Sequence, residues 1–337
     1  MKILIDCFGG DYSPTEMVKG AITSVNLLKN IEIVLTGDEK SLKAEIEKFG
    51  YSGDKISIID APDVIDTNES PTMAIRQKKN SSLVVGLESL ANQDNEIDAM
   101  ISCGSTGAVL AGGLFKIGRM DGVLRPALAP ILPTKKGSQV LLIDCGANVD
   151  CKPEYLVQFA VMGSAYMKAM CGLSSPRVAL LNVGVEDHKG NDLTHAVFEK
   201  LKELPSINFV GNMEAREILS GDYDVIVCDG FVGNVALKTI EGTAGFISGL
   251  LKQNIVNGGF FAKIGAGLMK KTFKKLKTDL DYSQFGGSPF IGVKKLLIKS
   301  HGSSTAKTIY SCVLQAKKLI EANAIDQIKN ELKVLGE

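Results

Sequence analysis

Short apolar runs ending in glycine and small polar residues, separated by stretches of helical period, leave this chain few folds to choose from. Runs rich in Val, Ile and Leu cover Lys2–Asp6, Glu32–Thr36, Ile56–Asp60, Ile97–Ser102, Gln139–Asp144, Arg177–Asn182, Asp224–Cys228 and Leu296–Ser300. Helical spacing marks Pro14–Leu28, Lys40–Phe49, Thr72–Leu90, Gly107–Ile117, Pro153–Met170, Asn191–Leu204 and Ala306–Ala322. Such alternation predicts an α/β fold, a mainly parallel sheet with helices on both faces. The apolar runs are continuous, as strands buried on both sides require. Ser13, Pro14 and Glu16 read as N-cap, first-turn proline and capping-box acid of the first helix.

In open α/β sheets ligands bind beyond the carboxyl ends of the strands. Here those ends read Asp6-Cys7-Phe8-Gly9-Gly10-Asp11, Ser102-Cys103-Gly104-Ser105-Thr106-Gly107, Asp144-Cys145-Gly146-Ala147-Asn148, Asn182-Val183-Gly184 and Asp229-Gly230-Phe231-Val232-Gly233-Asn234. A βα turn favours Gly and Asx on its own account, but five such ends on one edge point to a small anionic ligand. Lys299-Ser300-His301-Gly302-Ser303-Ser304 is a further anion-friendly turn.

The 337 residues allow two domains, or one large domain with an insertion. The expectation is a single α/β domain over 1–337, with a helical hairpin inserted at 240–278. From Gly242 to Thr278 there are seven Lys and no acidic residue. Phe261, Ile264, Leu268, Phe273 and Leu276 alternate with Lys263, Lys270, Lys271, Lys274, Lys275 and Lys277, behind an apolar helix (Ile240–Val256) and a Gly258-Gly259 hinge. This amphipathic hairpin suits a partner subunit, an acidic protein or anionic lipid headgroups. Basic and acidic residues balance at 38 each, which argues against bulk nucleic-acid binding. Seven Cys without zinc spacing read as reduced thiols of a cytosolic protein, and neither a signal peptide nor a membrane-spanning run is expected.

Several chemistries fail on their motifs. The Gly265-x-Gly267 pair lies in the basic helix with Lys270 at the third glycine position, so no dinucleotide fingerprint exists. No P-loop or nucleophile elbow occurs, and His188, His195 and His301 are too few for a confident triad. What remains is an anion site without an obvious protein nucleophile, suited to a reaction whose nucleophile is itself an anion. Phosphate attacking a thioester needs the dianion held and aimed and a donor for the developing oxyanion. Neither metal nor organic cofactor is implied.

These motifs resemble the PlsX family of phosphate acyltransferases. Asp6–Asp11 is similar to that family's Asp-Ala-Met-Gly-Gly-Asp, and Ser102–Ala108 to its Ser-Ala-Gly-Asn-Thr-Gly-Ala. Further matches are Arg125-Pro126-Ala127, Asp144–Pro153, Asn182-Val183-Gly184 with Lys189-Gly190-Asn191, Gly211-Asn212, Asp229–Asn234, Gly286-Gly287-Ser288-Pro289 and Lys299–Ser304. Phe8, Ser105 and Gln284-Phe285 depart from the pattern, and Ser105 has a hydroxyl in place of an amide.

The resemblance implies an isocitrate/isopropylmalate dehydrogenase-like fold without a nicotinamide cofactor. It implies conversion of long-chain acyl-[acyl carrier protein] and inorganic phosphate to acyl phosphate for phospholipid synthesis. A homodimer on the inner face of the cell membrane, supplying a glycerol-phosphate acyltransferase, comes with it. The family's catalytic Lys and Asn correspond to Lys189 and Asn234. Proposed substrate contacts are Gly9, Gly10, Asp11, Ser81, Ser82, Gly104, Ser105, Thr106, Asn148, Asn191, His301, Ser303 and Ser304, with Asp6 and Asp11 bracing the first glycine turn. The rival readings are an acetyl or butyryl phosphate-forming enzyme that uses acyl-CoA, a dehydrogenase of related fold, and a non-enzymic membrane scaffold.

Overall fold

A computed structural model describes residues 1–279 and 282–333. The first half alternates β1 (Lys2–Asp6), α1 (Thr15–Leu27), β2 (Glu32–Gly37), α2 (Glu39–Lys48) and β3 (Ile56–Asp60). Then come α3 (Pro71–Gln77), α4 (Ser82–Ala91), β4 (Ala99–Ser102), α5 (Thr106–Gly112), β5 (Ala127–Leu128) and β6 (Ile131–Pro133). The middle comprises β7 (Gln139–Ile143), α6 (Pro153–Cys171), β8 (Arg177–Asn182), α7 (Asp192–Lys202), β9 (Asn208–Glu214) and β10 (Val225–Val227). Three helices follow, α8 (Gly230–Asn257), α9 (Gly259–Leu268) and α10 (Lys270–Asp279). The chain closes with β11 (Ser288–Ile291), β12 (Leu296–Lys299), α11 (Ala306–Glu321) and α12 (Ala324–Lys333).

The expected α/β class holds, but the strands form two sheets. Seven strands run β3-β2-β1-β4-β12-β11-β5 and five run β6-β7-β10-β8-β9. All pairings are parallel except those of β11 with β12 and β5 and of β6 with β7. The chain thus leaves the first sheet at β5, builds the second and returns at β11. Central strands β4, β10 and β12 are buried throughout, whereas edge strands β3 and β9 are partly exposed, as a strand with a neighbour on one side only allows. One apolar cluster joins Ile3, Ile5 and Ile101 of the first sheet to Ile143, Leu180 and Val227 of the second. Phe159 and Tyr166 of α6 are fully buried within it. Each such side chain contributes about 1.5–3 kcal/mol by leaving water.

Three local expectations are corrected. Thr72–Leu90 is not one helix: it breaks at Lys78, and Ser81 caps the second half by accepting from the Val84 amide at 3.3 Å. Ser13 does not cap α1. Its Oγ accepts from the Gly10 amide at 3.0 Å, Pro14 occupies the cap position, and Glu16 accepts from the Ala306 amide at 2.6 Å. The glycine turn and α11 therefore claim the side chains that the local pattern assigns to capping. The hairpin's first helix does not begin near Ile240 but is the continuation of α8, which starts at Gly230. The turn at Gly258 does close it, and α9 and α10 follow. The side chains of Leu276 and Lys277, and residues 334–337 of the expected domain, lie outside the described residues.

Candidate active site

The turns after β1, β4 and β12 interlock. The Asp11 amide donates to Gly302 O and the Ser300 amide to Ser102 O, each at 2.8 Å. A β-carbon on Gly9, whose φ is +85°, would lie 3.0 Å from the Gly104 Cα, so backbone conformation and crowding both demand glycine there. Beneath this knot Asp6 is buried and accepts from Ser102 Oγ at 2.7 Å and from the Phe8 amide at 3.3 Å. Burial pushes its carboxyl above the usual range, while hydrogen bonds from Ser102 and Ser82 oppose the rise. Asp6 thus braces the turn as expected. Asp11 is exposed and contributes only its backbone.

The second sheet has a matching device. Buried Asp144 accepts from the amides of Leu128 (3.0 Å), Ala147 (3.1 Å) and Asn148 (2.7 Å) and from Asn148 Nδ2 (2.8 Å). Asn148 Nδ2 also donates to Pro126 O at 2.8 Å, and Asn148 O receives the Gly230 amide at 2.7 Å. The backbone carbonyl of Asn148 thereby fixes the start of α8. Asn191 Oδ1 likewise accepts from the Thr194 amide at 2.9 Å, capping α7.

Where the two sheets face each other a cavity of about 100 Å³ opens. Its walls come from both sides: Thr106 at the start of α5, Cys145 after β7, Asn234, Lys238 and Glu241 on α8, Gly286 and Gly287 before β11, Lys299 at the end of β12, and Ser300 and His301 after it, with Leu128, Pro130, Ile131 and Leu237 adding apolar surface. Lys238 pairs with Glu241 at 2.7 Å. Lys299 is only 8% exposed, and its ammonium donates to Ser300 O. Burial holds that amine below its ordinary value. His301 Nδ1 accepts from the Ser303 amide at 3.2 Å and contacts Ser303 Oγ at 2.7 Å. Burial lowers its pKa, so the ring favours the neutral form at pH 7. Ser304 Oγ donates to His301 O at 2.6 Å and receives Ser300 Oγ at 2.8 Å.

Asn234, Thr106 and His301 thus come together, with Gly9, Gly10, Gly104, Ser105, Ser303 and Ser304 in the turns behind them. Ser81 and Ser82 are buried at the start of α4, on the Asp6 side. Lys189 does not line the cavity. It lies in the exposed loop after β8, its amide donating to Glu186 O at 3.1 Å and its carbonyl accepting from Asn182 Nδ2 at 3.0 Å. Because β8 neighbours β10, this loop occupies the same sheet edge as the start of α8. Lys238 and Glu241 were missed as site residues, and Lys299, placed within an anion-friendly turn, was not singled out as one. A strand-terminal Lys after Leu296–Ile298 was the available signal, since burial on both faces carries the final side chain inward.

A larger cavity, about 1260 Å³, adjoins the first and shares Glu241 and His301 with it. Leu132, Pro133, Leu219, Ile240, Ala244, Ile247 and Phe285 give it apolar walls, with Lys135, Lys136 and Lys275 also at its surface. No group of His, Cys, Asp and Glu suited to a metal ion exists among the described residues.

A family model described as "Fatty acid synthesis protein" matches residues 1–327. A phosphate acyltransferase from Clostridium novyi (strain NT) is 48% identical over 332 residues, covering 98% of each chain. One from Clostridium perfringens (strain SM101 / Type A) is 47% identical over 98% of this chain and 97% of its own. Among solved structures, EutD phosphotransacetylase from Staphylococcus aureus superposes with a TM-score of 0.60 at 16% identity, covering 95% of this chain and 94% of its own. A 4-hydroxythreonine-4-phosphate dehydrogenase from Klebsiella pneumoniae gives 0.54 at 12% identity, covering 94% and 98%. At these identities the superpositions speak for the fold, which is of the dehydrogenase-like type expected.

Proposed function

The chain belongs to the fatty acid synthesis protein family of phosphate acyltransferases, and on that premise we propose that it forms acyl phosphate from a long-chain acyl thioester and inorganic phosphate. The observation that carries the reading is the meeting, at Glu241 and His301, of a small cavity that holds Thr106, Asn234, Lys238 and Lys299 with a much larger one walled in part by Leu132, Ile240, Ala244, Ile247 and Phe285. Phosphate occupies the first and the acyl chain the second, which brings the thioester carbonyl to their junction. A phosphate oxygen attacks the carbonyl carbon, the oxyanion collapses, and the carbon–sulfur bond breaks to release thiolate. Thiolate is a stable leaving group, so the residues' work is holding, aiming and charge compensation. Asn234 orients phosphate or donates to the oxyanion, and Lys189 adds positive charge from the neighbouring loop. Thr106 and the turns carrying Gly104, Ser105, Ser303 and Ser304 complete the polar wall.

Acyl carrier protein is the proposed donor. An acidic carrier complements Lys135 beside the apolar cavity and Lys263, Lys270 and Lys271 beyond it. Phe260, Phe261 and Leu268 are 73%, 85% and 84% exposed. That surface favours peripheral contact with anionic lipid on the cytoplasmic side, where a glycerol-phosphate acyltransferase would consume the product. Among the described residues no helix is long and apolar enough to cross a membrane. A homodimer is the proposed assembly. The apolar cavity's size favours long chains over the acetyl or butyryl groups of the rival reading. Phosphate-dependent release of free thiol from long-chain acyl carrier protein tests the proposal. Release from short-chain acyl-CoA alone would refute it.

A further inference from the structure

Charges removed from water are normally paired, because an isolated buried ammonium loses its hydration and gains nothing in return. Lys299 departs from that rule. Its residue is 8% exposed, and among the described residues its ammonium has one acceptor, the neutral carbonyl of Ser300, with no carboxylate at ion-pair distance. An ammonium carries three donors, so two are left over. The nearest charged groups do not discharge the debt. Asp6 is engaged with Ser102 and the Phe8 amide, and Cys103, its thiol pushed up to about 11 by burial, stays protonated. Lys238, the other cation of the cavity, is already matched with Glu241. The unmatched charge borders a space of about 100 Å³ whose other walls include Thr106, Asn234 and the glycine pair Gly286-Gly287.

We propose that Lys299 is the cation that binds the attacking phosphate, its two spare donors reaching phosphate oxygens in the cavity that Asn234 also lines. This rests on the acyl-phosphate reading and deepens it: the principal counter-charge comes from within the first sheet, and the Lys189 loop acts at the rim. A compact ammonium suits a phosphate in so small a space. Burial strengthens the attraction to a bound anion, and among the described residues no carboxylate lies at ion-pair distance to compete for the charge; Asp6 acts on it only from further away.

The test compares the full-length protein with Lys299→Met, a neutral side chain of similar length. Inorganic phosphate should raise the native melting temperature, and in Lys299→Met this rise should vanish. The KM for phosphate should increase by about tenfold to a hundredfold, with the KM for the acyl thioester unchanged. Lys299→Arg should restore part of the phosphate effect. Without phosphate, Lys299→Met should melt no lower than native, because an unpaired buried charge has been removed. Should that variant fail to fold, Lys299→Gln serves in the same measurements. A native-like phosphate KM and melting shift in the neutral variant would overturn the inference, and so would a native protein whose melting ignores phosphate. A phosphate shift that depends on Lys299 in a protein that never releases thiol would leave the inference standing and sink the acyltransferase reading.

Discussion

Replacing Gly233 with Ala should disable the site without touching any group that contacts substrate. A β-carbon on Gly233 would lie 1.8 Å from Asp144 O and 2.8 Å from Cys228 Sγ. Ordinary van der Waals contact begins at 3.4 Å, so the helix and the β7 turn must separate by about 1.6 Å. The turn cannot yield, because four hydrogen bonds lock Asp144 in place. The first turn of α8 must therefore move, carrying Asn234 with it. Overpacking of this kind costs about 1–3 kcal/mol, and a misplacement beyond 1 Å costs about a hundredfold in kcat. Thiol release and urea unfolding read the two effects separately. Gly249→Ala on the same helix is the control, since nothing lies within 4 Å of its β-carbon; it should gain up to about 1 kcal/mol. Turnover within about twofold of native together with an unshifted midpoint in Gly233→Ala would refute the reasoning.

Three further outcomes are expected. Asp6→Ala should destabilise by about 1–3 kcal/mol in urea unfolding, because the Phe8 amide and Ser102 hydroxyl lose their buried acceptor, while Asp6→Asn should cost less. The depressed Lys299 amine fixes a pH dependence: between its folded value and the ordinary 10.5 the unfolded chain binds more protons. Native stability measured against Lys299→Met should thus rise with pH across that window, and the gain should be lost as pH falls through the folded value; an unchanging difference would contradict the burial argument. Phe261→Ser with Leu268→Ser should reduce pelleting with anionic liposomes at unaltered thiol release from soluble donor, and unchanged pelleting would remove the lipid role from this segment.

Much of this architecture was legible because buried parallel strands announce themselves. Leu4, Ile101, Leu142, Leu180 and Ile226 sit in continuous apolar runs, and each run became a strand. The missed strands are short or broken by polar and special residues. β5 has two residues, β9 contains Gly211 and Asn212, and β11 carries Pro289. The split into two sheets was invisible for the same reason, since the crossover runs through β5 and β6. At the site, Asn234 and His301 emerged from turn chemistry, which is local. The employment of Asn148 and Asn191 in holding their own turns depends on partners or caps that residue type alone does not reveal. Lys299 was legible as a member of an anion-friendly turn but not as a buried charge, because a lysine ending a strand reads as solvated until both faces of that strand are known to be covered.

Helix α8 sets a dimension as well as a site. Only Gly230, Gly233 and Leu237 of its 28 residues are buried, so it is rooted at one end; beyond Leu237 it runs on as a rod for about 30 Å, its near part walling the larger cavity through Ile240, Ala244 and Ile247. Whatever surface the distal segment meets is therefore kept at a fixed stand-off from Asn234, counted in helical turns. Inserting seven residues beyond Leu237 would lengthen the rod by about 10 Å and preserve the direction its tip faces; inserting two would swing the tip by about 200°. Any spacing between Asn234 and the distal segment is thus set by a single helix, and its graduation is the turn.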